Sequence, residues 1–242
     1  MKNIILFDLD GTISDPKVGI TKSIQYALRH FDIDVENADE LCKFIGPPIH
    51  QTFKEFYGFN DVDVERAVGK FRERMLAKGL YENIMYDGVD AMLKELHESG
   101  KTLMIATSKP INLARKVLEY FAIDQFFAFV SGSEMNGDRS DKSEVIQYAL
   151  EQNNIPKETS LNARSCSLVQ GVSTENCLNI SDCIMVGDRK HDIIGAKTNG
   201  LESIGALYGY GDYEELTTAG ADYLVKDIGE LSDLLHFPHT PQ

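Results

Sequence analysis

The sequence predicts an α/β protein: a doubly wound, mostly parallel sheet with a helical unit inserted near its start. Three observations predict it. From about residue 83 onward, short β-branched apolar runs alternate with stretches of helical period, the pattern of strands and helices stacked in layers. Between about residues 16 and 82 only helical periods occur, so this part reads as a separate unit. Acidic and hydroxyl residues (Asp8, Asp10, Thr107, Ser108, Asp188) fall at the carboxyl ends of the predicted strands, where open parallel sheets bind ligands.

The first strand is the run Ile4-Ile5-Leu6-Phe7, whose β-branched and aromatic content suits a buried strand. Helical periodicity follows over residues 17–31, through Ile20, Ile24, Ala27, Leu28 and Phe31. Further helical pieces are expected at 39–44, 49–57 and 61–77. A helix at 89–98 precedes a strand at 102–107, then a helix at 111–121, a strand at 127–131 and a helix at 142–152. The strand 183–186 runs into Gly187-Asp188, with a helix at 193–198 after it. A strand at 203–207, a helix at 213–219, a strand at 223–225 and a last helix complete the pattern. On this reading residues 1–15 and 83–242 form the sheet-bearing core, and 16–82 the inserted helical unit.

Residues 157–182 break the rhythm. Helix-to-strand loops in such folds usually run about 2–6 residues, and this polar stretch, carrying Ser160, Asn162, Ser165, Ser167, Ser173, Thr174 and Asn176, is several times longer. It reads as a surface excursion at the amino-terminal edge of the strands, opposite the ligand edge.

Composition narrows the partners. With 242 residues, 43% of them hydrophobic, the chain has material for a sizeable core. The formal net charge of −14 argues against a nucleic-acid polymer or an anionic membrane, whose phosphates it would repel. The first apolar run is too short for a signal peptide and no stretch approaches a membrane span, so a cytoplasmic protein is expected. The cysteines, Cys42, Cys166, Cys177 and Cys183, form no CxxC pair and read as reduced thiols. Monomer and homodimer are both left open.

The chemistry concentrates at Asp8-Leu9-Asp10-Gly11-Thr12, directly after the first strand. Side chains at i and i+2 of a strand share a face, so Asp8 and Asp10 leave the strand together, and Gly11 lets the chain turn. Two carboxylates at the end of a buried strand repel each other and need a cation or a shared proton. Mg²⁺ with a phosphate group supplies the cation, since Mg²⁺ is typically held by one or two carboxylates plus substrate phosphates. An acidic turn without function is the bland alternative, and the rest of the chain argues against it.

Four motifs in order resemble the haloacid dehalogenase-like hydrolases: Asp8-x-Asp10-Gly11-Thr12, the hydroxyl of Thr107 or Ser108 after the second strand, Lys142 at a helix head, and Gly187-Asp188-Arg189-Lys190-His191-Asp192. The resemblance spans the chain except 157–182, where the family has a short loop. It implies a Rossmann-like core with a helical cap at 16–82. It further implies Asp8 as nucleophile and Asp10 as general acid/base. Mg²⁺ would be held by Asp8, Asp188 and the Asp10 main-chain carbonyl, with Asp192 completing the shell through water. Thr107 and Ser108 would donate to the phosphoryl group, the helix start near Pro110 would add main-chain donors, and Lys142 would neutralise charge on Asp8 and the phosphoryl oxygens. Arg189, Lys190 and His191 read as loop-ordering or surface residues.

Dehalogenases lack the second aspartate, present here as Asp10. Phosphomutases of the same cap type usually carry an apolar residue where Thr12 stands. The resemblance therefore implies a phosphatase of small phosphorylated metabolites, in the phosphoglycolate phosphatase and 5′-nucleotidase-like branch. A phosphomutase and a non-catalytic binding relative are the rivals. The loop Phe44-Ile45-Gly46-Pro47-Pro48-Ile49 is the candidate substrate-facing segment. Lys43, flanking it with His50, or Lys17 would serve a substrate carboxylate, and Phe44, Phe53 or Tyr57 a nucleobase, with Gly46 shaping the turn.

Overall fold

The computed structural model describes residues 2–156 and 179–236. Strand β1 (Ile4–Phe7) is wholly buried, as its unbroken apolar run requires. It lies between β4 (Thr102–Pro110) and β6 (Cys183–Gly187), parallel to both. β5 (Phe127–Ser133) extends the sheet beyond β4, while β7 (Glu202–Ala206) and β8 (Tyr223–Val225) extend it beyond β6. The resulting order, β5-β4-β1-β6-β7-β8, reverses direction beside β1, and ligand crevices of doubly wound sheets open at such a reversal.

Strand periodicity divides the core in two. Ile5 and Phe7 pack with one apolar cluster, and Ile4 and Leu6 with the other. The second cluster is closed by α6 (Lys142–Gln152) and α7 (Lys190–Thr198), through Val145, Ile146, Ala149, Leu150 and Ala196. The first is covered by α4 (Val89–Glu98), α5 (Ile111–Tyr120) and α9 (Ile228–His236), and continues into the helical unit. The short α8 (Tyr213–Ala219) packs beside α7.

That unit hangs from a two-stranded antiparallel ribbon, β2 (Ser14–Asp15) with β3 (Ile84–Met85). The ribbon was not expected, because two residues per strand leave no apolar alternation to read. Between its strands lie α1 (Lys17–Arg29), α2 (Ile49–Tyr57) and α3 (Asp61–Ala77). Ile20, Ile24, Ala27 and Leu28 of α1 and Val64, Ala67, Val68, Phe71 and Met75 of α3 are buried at the helical spacing that the sequence shows. Asn60 caps α3 by accepting from Asp63 N at 3.0 Å, and Gly58, at φ +62°, ends α2.

Other expectations shift at their edges. Residues 39–44 belong to a 3₁₀ turn, Ala38–Phe44, begun by an Asn37 cap. β4 runs three residues past Thr107, so Pro110 caps α5 from outside instead of opening its first turn. The helix expected at 193–198 begins at Lys190. Most of the stretch 157–182 lies outside the described residues, with Cys166 and Cys177. Its last part, 179–182, includes the 3₁₀ turn Ile180–Asp182, whose Asp182 carbonyl accepts from Asn3 N at 2.9 Å at the amino-terminal edge of the sheet. Cys42 and Cys183 are free thiols, and among the described residues no helix is long and apolar enough to cross a membrane.

The helical unit contains a close approach of two main chains. A Cβ on Gly19 would stand 2.1 Å from the Gly79 carbonyl oxygen, whereas one on Gly69 in α3 would meet nothing within 4 Å. The same substitution therefore has opposite signs. Gly69→Ala is expected to stabilise the protein by about 0.5–1 kcal/mol through helix propensity, and Gly19→Ala to destabilise it by about 1–3 kcal/mol through overpacking. Urea unfolding of the two variants checks the pair.

Candidate active site

The sheet registers bring the site together. Phe7 aligns with Ile105 on β4 and Val186 on β6, so the residues that follow each strand emerge side by side at the carboxyl edge. From β1 come Asp8 and Asp10, from β4 Thr107, Ser108 and Lys109, and from β6 Asp188. Gly11, at φ +92°, turns the chain directly over Asp188, where a Cβ would stand 2.2 Å from Oδ2.

Lys142, the first residue of α6, is the hub. Its ammonium lies 2.8 Å from Asp8 Oδ1 and 2.7 Å from Asp192 Oδ1, and donates to the Ala106 carbonyl at 3.0 Å. Lys142, Asp8, Asp188 and Asp192 are 4%, 3%, 0% and 1% exposed, so none can rely on water for its solvation. Burial alone would strip the proton from Lys142. The Asp192 and Asp8 carboxylates outweigh it and hold the ammonium well above its ordinary range.

One ammonium cannot balance three carboxylates. Asp8, Asp188 and Asp192 offer ligand atoms all within 4.8 Å of one another. Burial, then repulsion from Asp192 and Asp8, pushes the Asp188 carboxyl well above its usual range. Burial raises Asp192 to about 6, against the pull of Lys142 and with the push of Asp8. A buried all-oxygen set with excess negative charge fits a hard divalent cation. The frame around it is fixed. Asp188 accepts from Thr12 Oγ1 at 3.2 Å and from Tyr210 N at 2.8 Å. Asp192 accepts from Arg189 N at 3.0 Å through its second oxygen. With both oxygens engaged, Asp192 orients Lys142 and closes the acidic set.

Asp10 stands apart from this trio. Its Oδ2 lies 2.5 Å from Lys109 Nζ, while its Oδ1 is buried without a hydrogen-bond partner among the described residues. A carboxyl held on one side and unoccupied on the other suits proton exchange with a bound group. Thr107 Oγ1 accepts from Lys109 N at 3.3 Å, which leaves its own proton to donate. Ser108 is tied through its carbonyl, which accepts from Ser133 Oγ at 2.9 Å.

The expected substrate-facing loop is placed differently. Phe44 is buried among Phe53, Phe56 and Tyr57, with ring centroids 5.5, 5.6 and 6.0 Å away, and Phe53 is fully buried. Phe44 and Phe53 are core of the helical unit, and their ring faces are spent on that packing. Lys43 is exposed, with its ammonium 4.2 Å over the Phe56 ring, and Lys17 pairs with Asp39 at 2.7 Å. Gly46, at φ +101°, rests against Arg189.

Sequence reasoning missed two contributors. Lys109 carried a signal, a lysine two residues beyond Thr107 at a strand's carboxyl end. The stretch Tyr208-Gly209-Tyr210-Gly211 after β7 wraps Asp188: Cβ atoms on Gly209 and Gly211 would stand 2.3 Å from Asp188 Cβ and 2.1 Å from its carbonyl oxygen. Alternating glycines just past a strand mark such a close approach.

A family model described as haloacid dehalogenase-like hydrolase matches residues 5–162, and a second, described as HAD-hydrolase-like, matches 143–231. A 5′-nucleotidase of Pseudomonas aeruginosa is 39% identical over 231 residues, covering 96% of this chain and 94% of the relative. The tyrosine-protein kinase PtkA of Mycobacterium tuberculosis is 31% identical over 235 residues, covering 96% of this chain and 72% of the relative. Among solved structures, a predicted phosphatase from Clostridium acetobutylicum superposes with a TM-score of 0.86 at 40% identity, over 98% of this chain and all of that one.

The excess charge of the acidic trio makes a measurable demand. Millimolar divalent cation is expected to raise the melting temperature of the purified protein, because it binds the folded state alone. Asp188→Asn is expected to raise the cation-free melting temperature, by relieving repulsion, and to remove most of the cation-induced rise. Thermal unfolding with cation and with chelator checks both.

Proposed function

Because the chain belongs to the haloacid dehalogenase-like hydrolases, we propose that it hydrolyses phosphate monoesters of small metabolites, with Asp8 as the covalent carrier and Mg²⁺ as cofactor. The observation that carries the reading is the pairing of two differently equipped carboxyls at one strand end. Asp8 is held at 2.8 Å by a buried lysine, and Asp10 has one oxygen on Lys109 and the other unpartnered. Phosphate-monoester hydrolysis is among the slowest uncatalysed reactions, calling for up to about 10²¹-fold acceleration. Dividing it into two displacements at one carboxylate lowers each barrier.

In the first step an Asp8 oxygen attacks phosphorus and the bond to the leaving oxygen breaks, while Asp10 gives that oxygen a proton. In the second, water attacks phosphorus, Asp10 takes the water's proton, and the bond to Asp8 breaks to release phosphate. Lys142 keeps Asp8 oriented and offsets charge on the transferring group, and Thr107 donates its hydroxyl to a phosphoryl oxygen, with Ser108 beside it. Lys109, 2.5 Å from Asp10 Oδ2, holds the Asp10 carboxyl in place with its other oxygen facing the bound group. Mg²⁺, held by Asp8, Asp188, the Asp10 carbonyl and, less directly, Asp192, would supply positive charge to the phosphoryl oxygens.

Residues 1–15 and 83–242 act as the catalytic core, and 16–82 as its cap. The leaving group is read where the two face each other, in a cleft of about 470 Å³ lined by Pro48, His50, Gln51 and Lys54 on one side and Asn136, Gly137, Asp138 and Ser140 on the other. Its lining is polar and presents no Phe or Tyr ring, which favours a hydroxyl-bearing leaving group such as a sugar. The 5′-nucleotidase of Pseudomonas aeruginosa, at 39% identity, makes a nucleoside monophosphate the leading substrate class, with phosphoglycolate the second. The protein works on free metabolites in the cytoplasm, without a nucleic-acid polymer or membrane as partner.

A panel of nucleoside monophosphates, sugar phosphates and phosphoglycolate, assayed for phosphate release with Mg²⁺ and with chelator, tests the reading. Asp8→Asn is expected to lower turnover on the order of 10⁴-fold or more while leaving the melting temperature near that of the wild type. Asp10→Asn is expected to lower it severely and to let phosphorylated Asp8 accumulate in mass spectra of quenched enzyme. Metal-independent turnover, or wild-type turnover in Asp8→Asn, would overturn the mechanism.

A further inference from the structure

Arg189 sits inside the acidic motif yet reaches out of it. Its main-chain N–H donates to Asp192 Oδ2 at 3.0 Å, which ties it to the acidic trio. Its side chain, only 12% exposed, is gripped by Glu215 near the start of α8: Nε donates to Oε1 at 2.9 Å and Nη2 to Oε2 at 3.4 Å. Glu215 Oε1 also accepts from Lys190 N at 2.8 Å, and Asp212 holds that helix start by accepting from Glu215 N at 2.7 Å. The remaining arm, Nη1, crosses to the helical unit and donates to the Ile45 carbonyl at 2.5 Å.

The other half of this contact is equally shaped. Ile45 is fully buried at the end of the 3₁₀ turn Ala38–Phe44, so its carbonyl has no water to turn to if Arg189 lets go. Phe44 anchors the turn in the aromatic cluster on one side. On the other, Gly46 takes φ +101° and a Cβ there would stand 2.7 Å from Arg189 Cγ, so the loop is laid directly on the arginine stem. From Pro48 onward the same loop enters the wall of the cleft with His50 and Gln51. A single rigid fork thus joins the acidic motif, α8 and the loop that leads into the leaving-group wall. Only a planar guanidinium can serve Glu215 with two donors and a carbonyl with a third.

We propose that Arg189 is a positioning residue: it fixes the Phe44–Pro48 loop against the acidic motif, so that the closed arrangement of cap and core depends on the arginine–Glu215 fork. This rests on the phosphatase reading for its kinetic consequence, though the contact itself can be tested without it. Holding the loop affects substrates whose leaving group must be enclosed and matters little to an activated aryl phosphate, which needs no enclosure to leave.

The experiment compares wild type with Arg189→Met, Arg189→Lys and Glu215→Gln, using the best metabolite of the panel and p-nitrophenyl phosphate. Arg189→Met is expected to lower kcat/KM for the metabolite by about tenfold or more, the scale of one lost charge-assisted hydrogen bond with a buried partner. The aryl phosphate is expected to change by less than about threefold. Arg189→Lys should recover part of the loss. Amide hydrogen exchange over residues 43–49 is expected to quicken by about tenfold in Arg189→Met, and less in Glu215→Gln, which keeps the arginine but loosens its grip. Unchanged exchange in both variants overturns the proposal whatever the kinetics. An equal loss on both substrates also overturns it, since Arg189 would then act on the catalytic centre itself. Should Arg189→Met fail to fold, Glu215→Gln carries the same two readouts. A wild type without turnover on any phosphomonoester would sink the phosphatase reading alone, because the exchange measurement stands independently of it.

Discussion

The buried charge at the carboxyl edge of β1 is the constraint to which the rest of the structure answers. Three carboxylates, Asp8, Asp188 and Asp192, share one ammonium, Lys142, in a region closed to water. Such a set is unstable by itself, and replacing a buried ion network with apolar groups is often neutral or stabilising. Its persistence requires that every surrounding element hold a group in place. Thr12 and the Tyr210 main chain hold Asp188, the Arg189 main chain holds Asp192, and the Ala106 carbonyl takes the last described contact of Lys142. Glycines 11, 187 and 209 surround the acidic groups where any side chain would collide with them. Charge that is costly in the resting protein is thereby available to a cation and a phosphoryl group without rearrangement at the moment of reaction.

Topology explains why this charge can be gathered at all. The sheet reverses direction beside β1, so the two neighbours of β1 deliver their loops to the same point from opposite crossovers. β4 supplies hydroxyls and Lys109, β6 supplies Asp188, and α6 and α7 bring Lys142 and Asp192 in over their first turns. The helical unit enters through the ribbon β2–β3, which starts four residues after Asp10. Whatever the unit does is therefore transmitted over a very short lever to Asp10. Arg189 closes the circuit on the far side, through Ile45.

Much of this was legible in the sequence, for physical reasons that differ between parts. The buried strands announce themselves because a central parallel strand needs apolar groups on both faces, as Ile4 to Phe7 show. The acidic residues are legible because charges at such strand ends demand an explanation, and four motifs in order leave few. Lys109 and the Tyr208–Gly211 stretch were not read as site residues, and Arg189 was read only as loop-ordering or surface, since a lysine or arginine in a loop is ordinarily a solvated group. Their partners, Asp10, Ile45 and Asp188, lie on remote segments that only the folded chain brings near. Phe44 failed in the opposite direction: an aromatic residue beside Gly-Pro-Pro looked available for a ligand, and the density of neighbouring rings consumed it instead.

The position of β1 at the centre of the sheet also orders events in time. Ile4 pairs with Thr102 on one side and with Cys183 on the other, so during synthesis β1 must wait for about 180 further residues before its second neighbour exists. At about 5–20 residues per second, that interval is on the order of ten seconds. Until it ends, Asp8 has neither Asp188 nor Asp192 beside it, and Ile4 to Phe7 offer an unpaired apolar edge on the side later filled by β6. The helical unit, rich in local contacts, can consolidate meanwhile. A nascent chain thus passes through a stage with a formed helical unit, an exposed central strand and an unassembled acidic cluster, and it is this stage, more than the finished molecule, that chaperones would be called upon to guard.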